Sequence, residues 1–382
     1  MESKNVLHII TVSFVINHFF GNQFNYLKSK SGNNYILGCS PSEEFFELSN
    51  TYDYKPFPVE VTRNISLITD IKSIYKIYNF IKQNKIDVVV GHTPKGGMVA
   101  MIASYLAGVK NRIYFRHGII YETSTGLKRF LLKNIDRLSG TIANKVVCVS
   151  NSVKEISTKD KLNAPEKNVI LGLGTCNGID AEKKYNPSFQ DFELIQKIKN
   201  VNGINEEDFV IGYVGRLVKD KGINELISAW RILEKKYTNI KLILVGPIEE
   251  RDPISVDSIN EIKTNPNIIH TGFVLDSAPY FSIMDIFVLP TYREGFPTVT
   301  LEASAMKLPV ITTRATGCEE SIIENITGIF VKNEANDIAQ KIEFYINNKD
   351  LKLQHGIAGR EFVKENFEES KIWDQINEKL GY

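Results

Sequence analysis

Short apolar runs alternate with amphipathic segments along the whole chain. The runs of the first half are VLHIITV, YILGC, DVVVG, RIYF, KVVCVS and NVIL, and those of the second half are FVIGYVG, KLILVG, NIIHTG, IFVLP, LPVITT and GIFV. Between them, segments such as 68–84 and 223–237 carry apolar residues at helical spacing. This alternation predicts an α/β protein built from βαβ units with parallel sheets, whose strands are covered on both faces.

The alternation is interrupted once, between residues 177 and 208. This stretch begins with the turn NGID and continues as the polar sequence NPSFQDFELIQKIKNVNGINEED, for which we expect irregular structure. The sequence therefore predicts two Rossmann-like domains, residues 1–180 and 181–368, a size that suits a chain of 382 residues. Residues 369–382 have an amphipathic pattern, and we expect a helix that packs back on the first domain.

Charge is distributed unevenly between the two halves. Residues 1–185 carry 24 Lys and Arg against 15 Asp and Glu, a balance of +9, whereas the remainder has a balance of −8. A basic first half suggests an anionic partner, although chance variation of surface charge explains the asymmetry equally well.

Cysteine usage and hydropathy indicate a cytoplasmic protein. The four cysteines are far apart and form no CxxC pair, which fits a reducing compartment. The N-terminal run NVLHIITVSFVINHFF is interrupted by polar residues and is too short to span a membrane.

Two segments of the second half have a pattern suited to a ligand. GYVGRLVKDKG (212–222) connects a strand to a helix and places Arg216 and Lys221 in the turn, where the amide groups of the helix N-terminus favour phosphate. REGFPTVTLE (293–302) places Glu294 before a helix and Glu302 inside it, and carboxylates of this kind accept hydrogen bonds from sugar hydroxyls. A solvated basic loop and a helix-capping carboxylate with a structural ion pair are the plainer alternatives. We expect the helix that contains Glu302 to include Pro297 in its first turn and to end at about residue 307.

Three segments of the first half are further candidates. His117 follows the strand RIYF and contacts a ligand or serves structure, as does Arg116 beside it. GHTPKGG (91–97) suggests a second anion site with Lys95, or else a plain turn with a surface lysine. The helix TGLKRFLLKNIDRL (125–138) carries several cations beside apolar residues. For that helix, packing of the apolar side on the core is favoured over contact with lipid headgroups. Its apolar residues are Leu127, Phe130, Leu131 and Leu138, and its cations include Lys128, Arg129 and Lys133.

Several common motifs are missing from the sequence. No GxGxxG fingerprint with a following acidic residue and no P-loop is present, which disfavours a nicotinamide-dependent oxidoreductase. No DxD pair or HExxH motif is present, so we expect no dedicated metal site and no cofactor.

Taken together, these segments resemble the retaining GT-B glycosyltransferases of family four. The resemblance rests on GYVGRLVKDKGINELISAW, LVGP, HTGFV, IFVLPTYREGFPTVTLEASAMKLPVITT and TGIFV in the second half. GHTPKGGMVAMIASYLAGVKNRIYFRHG and LGLGTCNGID in the first half are similar to bacterial enzymes of capsule, O-antigen and lipid-linked glycan assembly. The resemblance implies two Rossmann-like domains whose sheets face each other across a cleft, with the acceptor side in the first domain and the nucleotide-sugar donor in the second.

The resemblance also implies roles for individual residues. Arg216 and Lys221 would hold the donor diphosphate, Glu302 the ribose hydroxyls, and Glu294 the donor sugar. His117 would contact that sugar or assist the leaving phosphate, and Lys95, Lys128, Arg129 and Lys133 would form the acceptor side. The remaining donor-binding positions would be Gly215, Val274 beside the nucleobase, and Gly295, Phe296, Pro297 and Thr298. The first βα loop has only Gly21 where many members have a glycine pair, and Glu319 stands where many carry Arg.

The implied activity is transfer of a hexose or N-acetylhexosamine from a UDP-sugar to a lipid-diphosphate-linked saccharide. Configuration would be retained and no metal used, and the enzyme would be a peripheral protein on the inner face of the cytoplasmic membrane, with no nucleic-acid partner. A UDP-sugar epimerase of the same fold and a non-catalytic subunit of a polysaccharide assembly complex are the alternatives.

Overall fold

The computed structural model of the protein describes residues 3–62 and 66–381. It divides into a first unit, Met1–Gly178 with Glu369–Tyr382, and a second unit, Ile179–Glu368. Each unit has its own parallel sheet, and each is described by itself below.

The first unit is built on strands that join in the order β3-β2-β1-β4-β5-β6-β7. All pairs between neighbouring strands are parallel. This is the doubly wound order, in which the direction of winding reverses between β1 and β4. The strands are β1 Asn5–Ile9, β2 Asn34–Cys39, β3 Lys55–Pro58, β4 Val88–His92, β5 Asn111–Arg116, β6 Lys145–Cys148 and β7 Asn168–Val169.

Helices cover the sheet of the first unit. They are α1 Ile16–Phe19, α2 Gln23–Ser31, α3 Glu43–Thr51, α4 Leu67–Gln83, α5 Pro94–Leu106, α6 Gly126–Ile142, α7 Asn151–Lys159 and the C-terminal α15 Glu369–Leu380. Helix α15 packs on α2, and the indole Nε1 of Trp373 donates a hydrogen bond to Oδ1 of Asn177, in the loop after β7, at 2.8 Å.

The second unit repeats the same winding with fewer strands. Residues 179–368 form a parallel sheet in the order β10-β9-β8-β11-β12-β13, so its reversal point lies between β8 and β11. The strands are β8 Phe209–Val214, β9 Ile240–Val245, β10 Ile268–Gly272, β11 Ile286–Leu289, β12 Val310–Thr313 and β13 Gly328–Val331. The helices are α8 Phe192–Val201, α9 Ile223–Leu233, α10 Val256–Thr264, α11 Ala278–Phe281, α12 Thr298–Ala305, α13 Ala335–Asn347 and α14 Lys349–Asn366.

The α/β class and the two parallel sheets predicted from the alternation are confirmed. One strand and one helix differ from the predicted pattern. Strand β3 (KPFP) contains two prolines and occupies the edge of its sheet, where a missing amide donor is tolerated. The irregular structure expected between residues 177 and 208 is wrong in part, because α8 forms there with Asp191 as its N-cap, accepting from the amide of Leu194 at 3.1 Å.

Helix α6 is oriented opposite to the favoured prediction. Its apolar residues face away from the core of the first unit, since Leu127 is 81% and Phe130 65% exposed. Its buried residues are Asp136, Ser139 and Gly140. The orientation follows from an ion pair, because the carboxylate of Asp136 must reach the guanidinium of Arg116 inside the unit, 2.9 Å away, where both side chains are fully buried.

Arg116 is therefore a structural residue. Its Nη1 donates to Oγ of Ser157 at 2.6 Å and to Oδ1 of Asn163 at 2.8 Å, in addition to the pair with Asp136.

None of the helices described over residues 3–62 and 66–381 combines the length and apolarity needed to cross a bilayer.

Candidate active site

The predicted phosphate loop lies where the sheet of the second unit reverses its winding. Gly215 directly follows β8, and the segment 290–297 follows β11, the neighbouring strand. Ligands of open α/β sheets bind at the carboxyl ends of strands at this reversal point. Fold topology therefore brings the two motifs of the second half together.

The two loops are in direct contact. Gly222, which precedes α9, has φ of +71°, and a Cβ atom there would stand 1.9 Å from the carbonyl oxygen of Pro290. Only glycine allows this approach. The carbonyl oxygen of Asp220 accepts from the amide of Tyr292 at 3.0 Å, and its carboxylate pairs with Arg293 at 2.8 Å. These contacts fix the position of the lysine between Asp220 and Gly222.

Lys221 and Glu294 form an ion pair at the centre of this contact. Their Nζ and Oε1 atoms lie 2.5 Å apart, and the side chains are 16% and 15% exposed. Two predicted catalytic residues, 73 positions apart in sequence, are thus neighbours. A cation and a carboxylate side by side can bind a ligand that has both phosphate oxygens and hydroxyl groups.

Arg216 lies at the rim of the site. Its Nη1 pairs with Oε2 of Glu249 at 2.9 Å, and half of its side chain is exposed. The hydroxyl of Tyr213 donates to the carbonyl oxygen of Arg216 at 2.9 Å. The backbone of Arg216 is thereby held, while the exposed guanidinium can exchange Glu249 for a ligand.

The segment Gly295-Phe296-Pro297-Thr298 connects Glu294 to α12. The amide of Glu294 donates to the carbonyl oxygen of Thr316 at 3.0 Å, and Gly317, with φ of +83°, packs against the carbonyl of Gly295. The helix is confirmed with slightly different bounds, because Pro297 is its N-cap and its last residue is Ala305, two residues before the predicted end. Thr298 begins the helix, four residues after Glu294.

Glu302 is buried in α12, only 7% exposed. Burial raises the pKa of this carboxyl group from 4.5 to about 7; the Lys184 ammonium and the Tyr185 hydroxyl lower it, and the Asp276 carboxylate raises it. Sequence reasoning missed these three neighbours, since they come from segments before α8 and after β10 that carry no recognisable motif. A buried carboxyl with a nearby cation is a candidate acceptor for ligand hydroxyl groups.

Replacing Glu302 by Gln should change how the stability of the second unit depends on pH. Because the folded protein holds the proton of Glu302 more tightly than the unfolded chain, stability should decrease as the pH rises from 4.5 through about 7. Glu302→Gln removes this loss. Urea unfolding, followed by Trp230 fluorescence in a Trp373→Phe background, should give similar stabilities at pH 5 and a variant more stable by on the order of 3 kcal/mol at pH 8. A constant difference between the two proteins across this range would show that Glu302 titrates normally.

Val274 lies two residues beyond β10 and is partly buried against the core of the second unit. Its neighbours Phe273 and Leu275 are 72% and 95% exposed. The loop thus presents apolar side chains near the carboxyl edge of the sheet, a surface suited to the face of a nucleobase.

His117 belongs to the first unit, directly after β5 and Arg116. Its Nε2 lies 3.0 Å from Nδ1 of His92, and the ring of Phe19 stacks on it with centroids 4.0 Å apart. Burial lowers the pKa of His117 to about 3, and His18 contributes to the same shift. The imidazole is therefore neutral at physiological pH, a state that suits hydrogen bonding to hydroxyl groups better than neutralising phosphate.

Most of the predicted acceptor-side cations have partners within the first unit. Lys95 is buried at the start of α5 and pairs with the buried Asp70 of α4, so it is no surface lysine. Lys133 pairs with Asp160 at 2.8 Å. Arg129 donates to the carbonyl oxygens of residues 121 and 122, and Lys128 is exposed. An anion at Lys95, Lys133 or Arg129 would have to displace these contacts.

Comparison with known proteins agrees with this architecture. Residues 195–362 match the family described as glycosyl transferases group 1, and residues 33–182 match glycosyltransferase family 4. The capsular polysaccharide biosynthesis glycosyltransferase CapM of Staphylococcus aureus is 33% identical over 377 residues, which cover 98% of this chain and 96% of CapM.

Two further proteins are similar over most of the chain. The UDP-Gal:alpha-D-GlcNAc-diphosphoundecaprenol alpha-1,3-galactosyltransferase of Escherichia coli is 28% identical over 300 residues, 78% of this chain and 75% of that enzyme. The crystal structure of Anabaena HepE in complex with UDP and glucose superposes with a TM-score of 0.80 at 18% identity, covering 100% of both chains.

Two doubly wound units with structural neighbours of this kind define the GT-B class, and the predicted GT-B fold is confirmed. Within that class, the chain belongs to the family-four glycosyltransferases, with a group 1 glycosyl transferase domain in its second unit.

Proposed function

We propose that this glycosyltransferase moves a hexose or N-acetylhexosamine from a UDP-sugar to a saccharide on a lipid diphosphate, with retention of configuration, in the assembly of a surface polysaccharide. It requires no metal and no cofactor. The names of the Staphylococcus aureus and Escherichia coli relatives support this assignment. The observation that carries it is the ion pair of Lys221 and Glu294 at the reversal point of the second sheet.

The donor diphosphate occupies the turn after β8. Arg216, Lys221 and the first amide groups of α9 face the oxygens on which negative charge develops as the bond between sugar and diphosphate breaks. Charge fixed in place before the reaction stabilises that state more than the ground state. These groups supply the positive charge that a divalent cation provides in other enzymes.

Glu294 is freed from Lys221 when phosphate takes the lysine, and its carboxylate then accepts hydrogen bonds from hydroxyl groups of the donor sugar. Glu302 accepts from the ribose hydroxyls. The acceptor hydroxyl attacks the anomeric carbon on the face that the diphosphate leaves. Because attack and departure use the same face, configuration is retained. The proton of the acceptor hydroxyl passes to a diphosphate oxygen, and UDP is released.

The lipid carrier is bound from an anionic membrane surface, at the inner face of the cytoplasmic membrane. The exposed apolar face of α6, Leu127, Phe130, Leu131 and Leu138, inserts between lipids while Lys128 meets headgroups. Helix α4 has a second exposed face with Leu67, Ile68, Ile71 and Tyr75, and both helices pack against α5. Apolar residues beside an exposed cation match an anionic bilayer.

Replacing Leu127 and Phe130 by Ser should weaken membrane binding. Each side chain contributes about 1.5–3 kcal/mol when buried in lipid, so loss of both should lower partition into phosphatidylglycerol-containing vesicles at least about a hundredfold. Flotation measures the partition. Phe192→Ser with Leu194→Ser, at two exposed positions of α8, is the matched control and should not change it. Equal binding of both double variants would remove α6 from the membrane contact.

The activity is tested by incubating the protein with UDP-sugars and membrane-extracted lipid acceptors in the presence of EDTA. Release of UDP that depends on the acceptor, with an unchanged anomeric configuration in the product, is the expected result. A sugar altered without any acceptor would identify an epimerase. No turnover of any donor, whether or not the protein binds UDP, would favour a non-catalytic subunit. Loss of activity with EDTA would contradict metal independence.

A further inference from the structure

Three histidines, His8, His92 and His117, form a row across the neighbouring strands β1, β4 and β5 of the first unit. His8 is on β1 and pairs in register with Val90 of β4, and His92 stands two residues beyond Val90. His92 in turn pairs with Phe115 of β5, and His117 stands two residues beyond Phe115. Residues two apart share a face of a sheet, so the three rings step diagonally towards the carboxyl edge.

Each ring is within hydrogen-bond distance of the next. Nδ1 of His8 lies 3.0 Å from Nε2 of His92, and Nδ1 of His92 lies 3.0 Å from Nε2 of His117. His92 uses both of its nitrogens, one towards each neighbour. The rings therefore form a chain and do not converge on one point, as ligands of a metal ion would.

Aromatic rings pack around the three histidines. His8 is packed edge-on between Phe20 and Phe24, His92 is stacked on Phe115, and Phe19 covers one face of His117. Burial lowers the pKa of His8 to about 3 and places that of His92 well below its usual range. All three imidazoles are consequently neutral.

A chain of neutral imidazoles has a defined hydrogen-bond order. A neutral ring has one N–H donor and one acceptor nitrogen. If His117 donates to His92, the other nitrogen of His92 must therefore donate to His8, and if His8 donates to His92, His92 must donate to His117. The tautomer of His117 is thereby coupled to those of His92 and His8. Because Nε2 of His117 faces His92, Nδ1 is the nitrogen left for a ligand.

We infer that His92 and His8 are positioning residues that orient the His117 ring and select its tautomer, so that Nδ1 meets a hydroxyl group of a bound sugar. This inference rests on the proposed function, because it requires that the protein binds a sugar substrate, and on the expectation from the sequence that His117 contacts that sugar. The plain alternative is that His8 and His92 only fill the space beneath the strands, as any flat ring would.

The inference is tested with His92→Phe and His92→Gln. Phe keeps a flat packing ring but cannot hydrogen-bond, whereas Gln packs less well but offers a donor and an acceptor. A mispositioned catalytic group costs up to about 100-fold in rate, so His92→Phe should lower kcat by about 10- to 100-fold, with KM little changed. His92→Gln should recover most of the loss. A purely structural role predicts the reverse order.

A second readout needs no substrate. In protein labelled with 15N in its six histidines, long-range proton–nitrogen NMR spectra distinguish the two neutral tautomers. Wild type should show one tautomer of His117, and His92→Phe and His8→Phe should each shift it towards a mixture. An unchanged His117 signal in both variants would overturn the inference, even if no transferase activity is found.

His355→Gln is the control for losing a buried histidine. His355 lies in α14 of the second unit, where its Nδ1 is 2.8 Å from the hydroxyl of Tyr345. Its replacement should leave kcat and the His117 signal unchanged. If His92→Phe does not fold, His8→Phe provides the same test, because His8 is the histidine of the series that lies farthest from His117. Normal kcat and an unchanged His117 signal in a folded His8→Phe variant would reject the coupling.

Discussion

Lys221→Ala is expected to lower turnover by about 10²- to 10³-fold, the usual loss when one group that stabilises developing negative charge is removed. The structural reason is the position of Lys221 between two loops, with its Nζ at 2.5 Å from Glu294 and only 16% of its side chain exposed. An alanine there removes the cation nearest the predicted diphosphate and leaves the carboxylate without its partner. The measurement is UDP release in the presence of donor and acceptor.

The design separates the chemical role of Lys221 from its part in folding. Lys221→Met combined with Glu294→Gln removes both charges, so stability should be close to wild type while activity stays low. Lys219→Ala is the matched control, because Lys219 is exposed in the same turn. Recovery of turnover in the double variant, or near-normal turnover of Lys221→Ala, would place the diphosphate elsewhere.

The strand–helix alternation is enough to predict where the candidate site of the second unit lies, and the reason is topological. Once strands alternate with helices, the doubly wound order places the turn after β8 beside the loop after β11. The sequence pattern therefore suffices to assign Lys221 and Glu294 to one site. It does not predict their direct ion pair, since that depends on the close approach of Gly222 to Pro290.

The surroundings of Glu302 are harder to predict for the same reason. Its pKa depends on burial and on Lys184, Tyr185 and Asp276. These residues come from two loops with no periodic pattern, and a single sequence does not reveal which loop residues meet a given helix.

The first unit shows where pattern reasoning fails. Lys95 and the cations of α6 suggest a basic surface, yet Asp70 neutralises Lys95 inside the unit. The apolar side of α6 suggests core packing, yet the pair of Asp136 and Arg116 decides which side of the helix is buried. Long-range ion pairs override helical periodicity here, and the sequence contains no local sign of either pair.

The ion pair of Asp136 and Arg116 leads to the second prediction with a large expected effect. Asp136→Ala should destabilise the first unit by about 3–5 kcal/mol, because it leaves the guanidinium of Arg116 buried without a counter-charge. The hydrogen bonds from Arg116 to Ser157 and Asn163 remain but do not neutralise it. Urea unfolding measures the loss, with Trp373 of α15 as the reporter of the first unit in a Trp230→Phe background.

Two comparisons show whether burial of charge is the cause. Asp53→Ala breaks the pair with Lys28, in which both side chains are about half exposed, and should cost less than about 1 kcal/mol. Arg116→Met with Asp136→Leu removes both buried charges and should be much closer to wild type than Asp136→Ala alone. If the double variant is as unstable as the single one, shape at the contact between α6 and the sheet determines the stability. The outward orientation of Leu127 and Phe130 would then need a cause other than this ion pair.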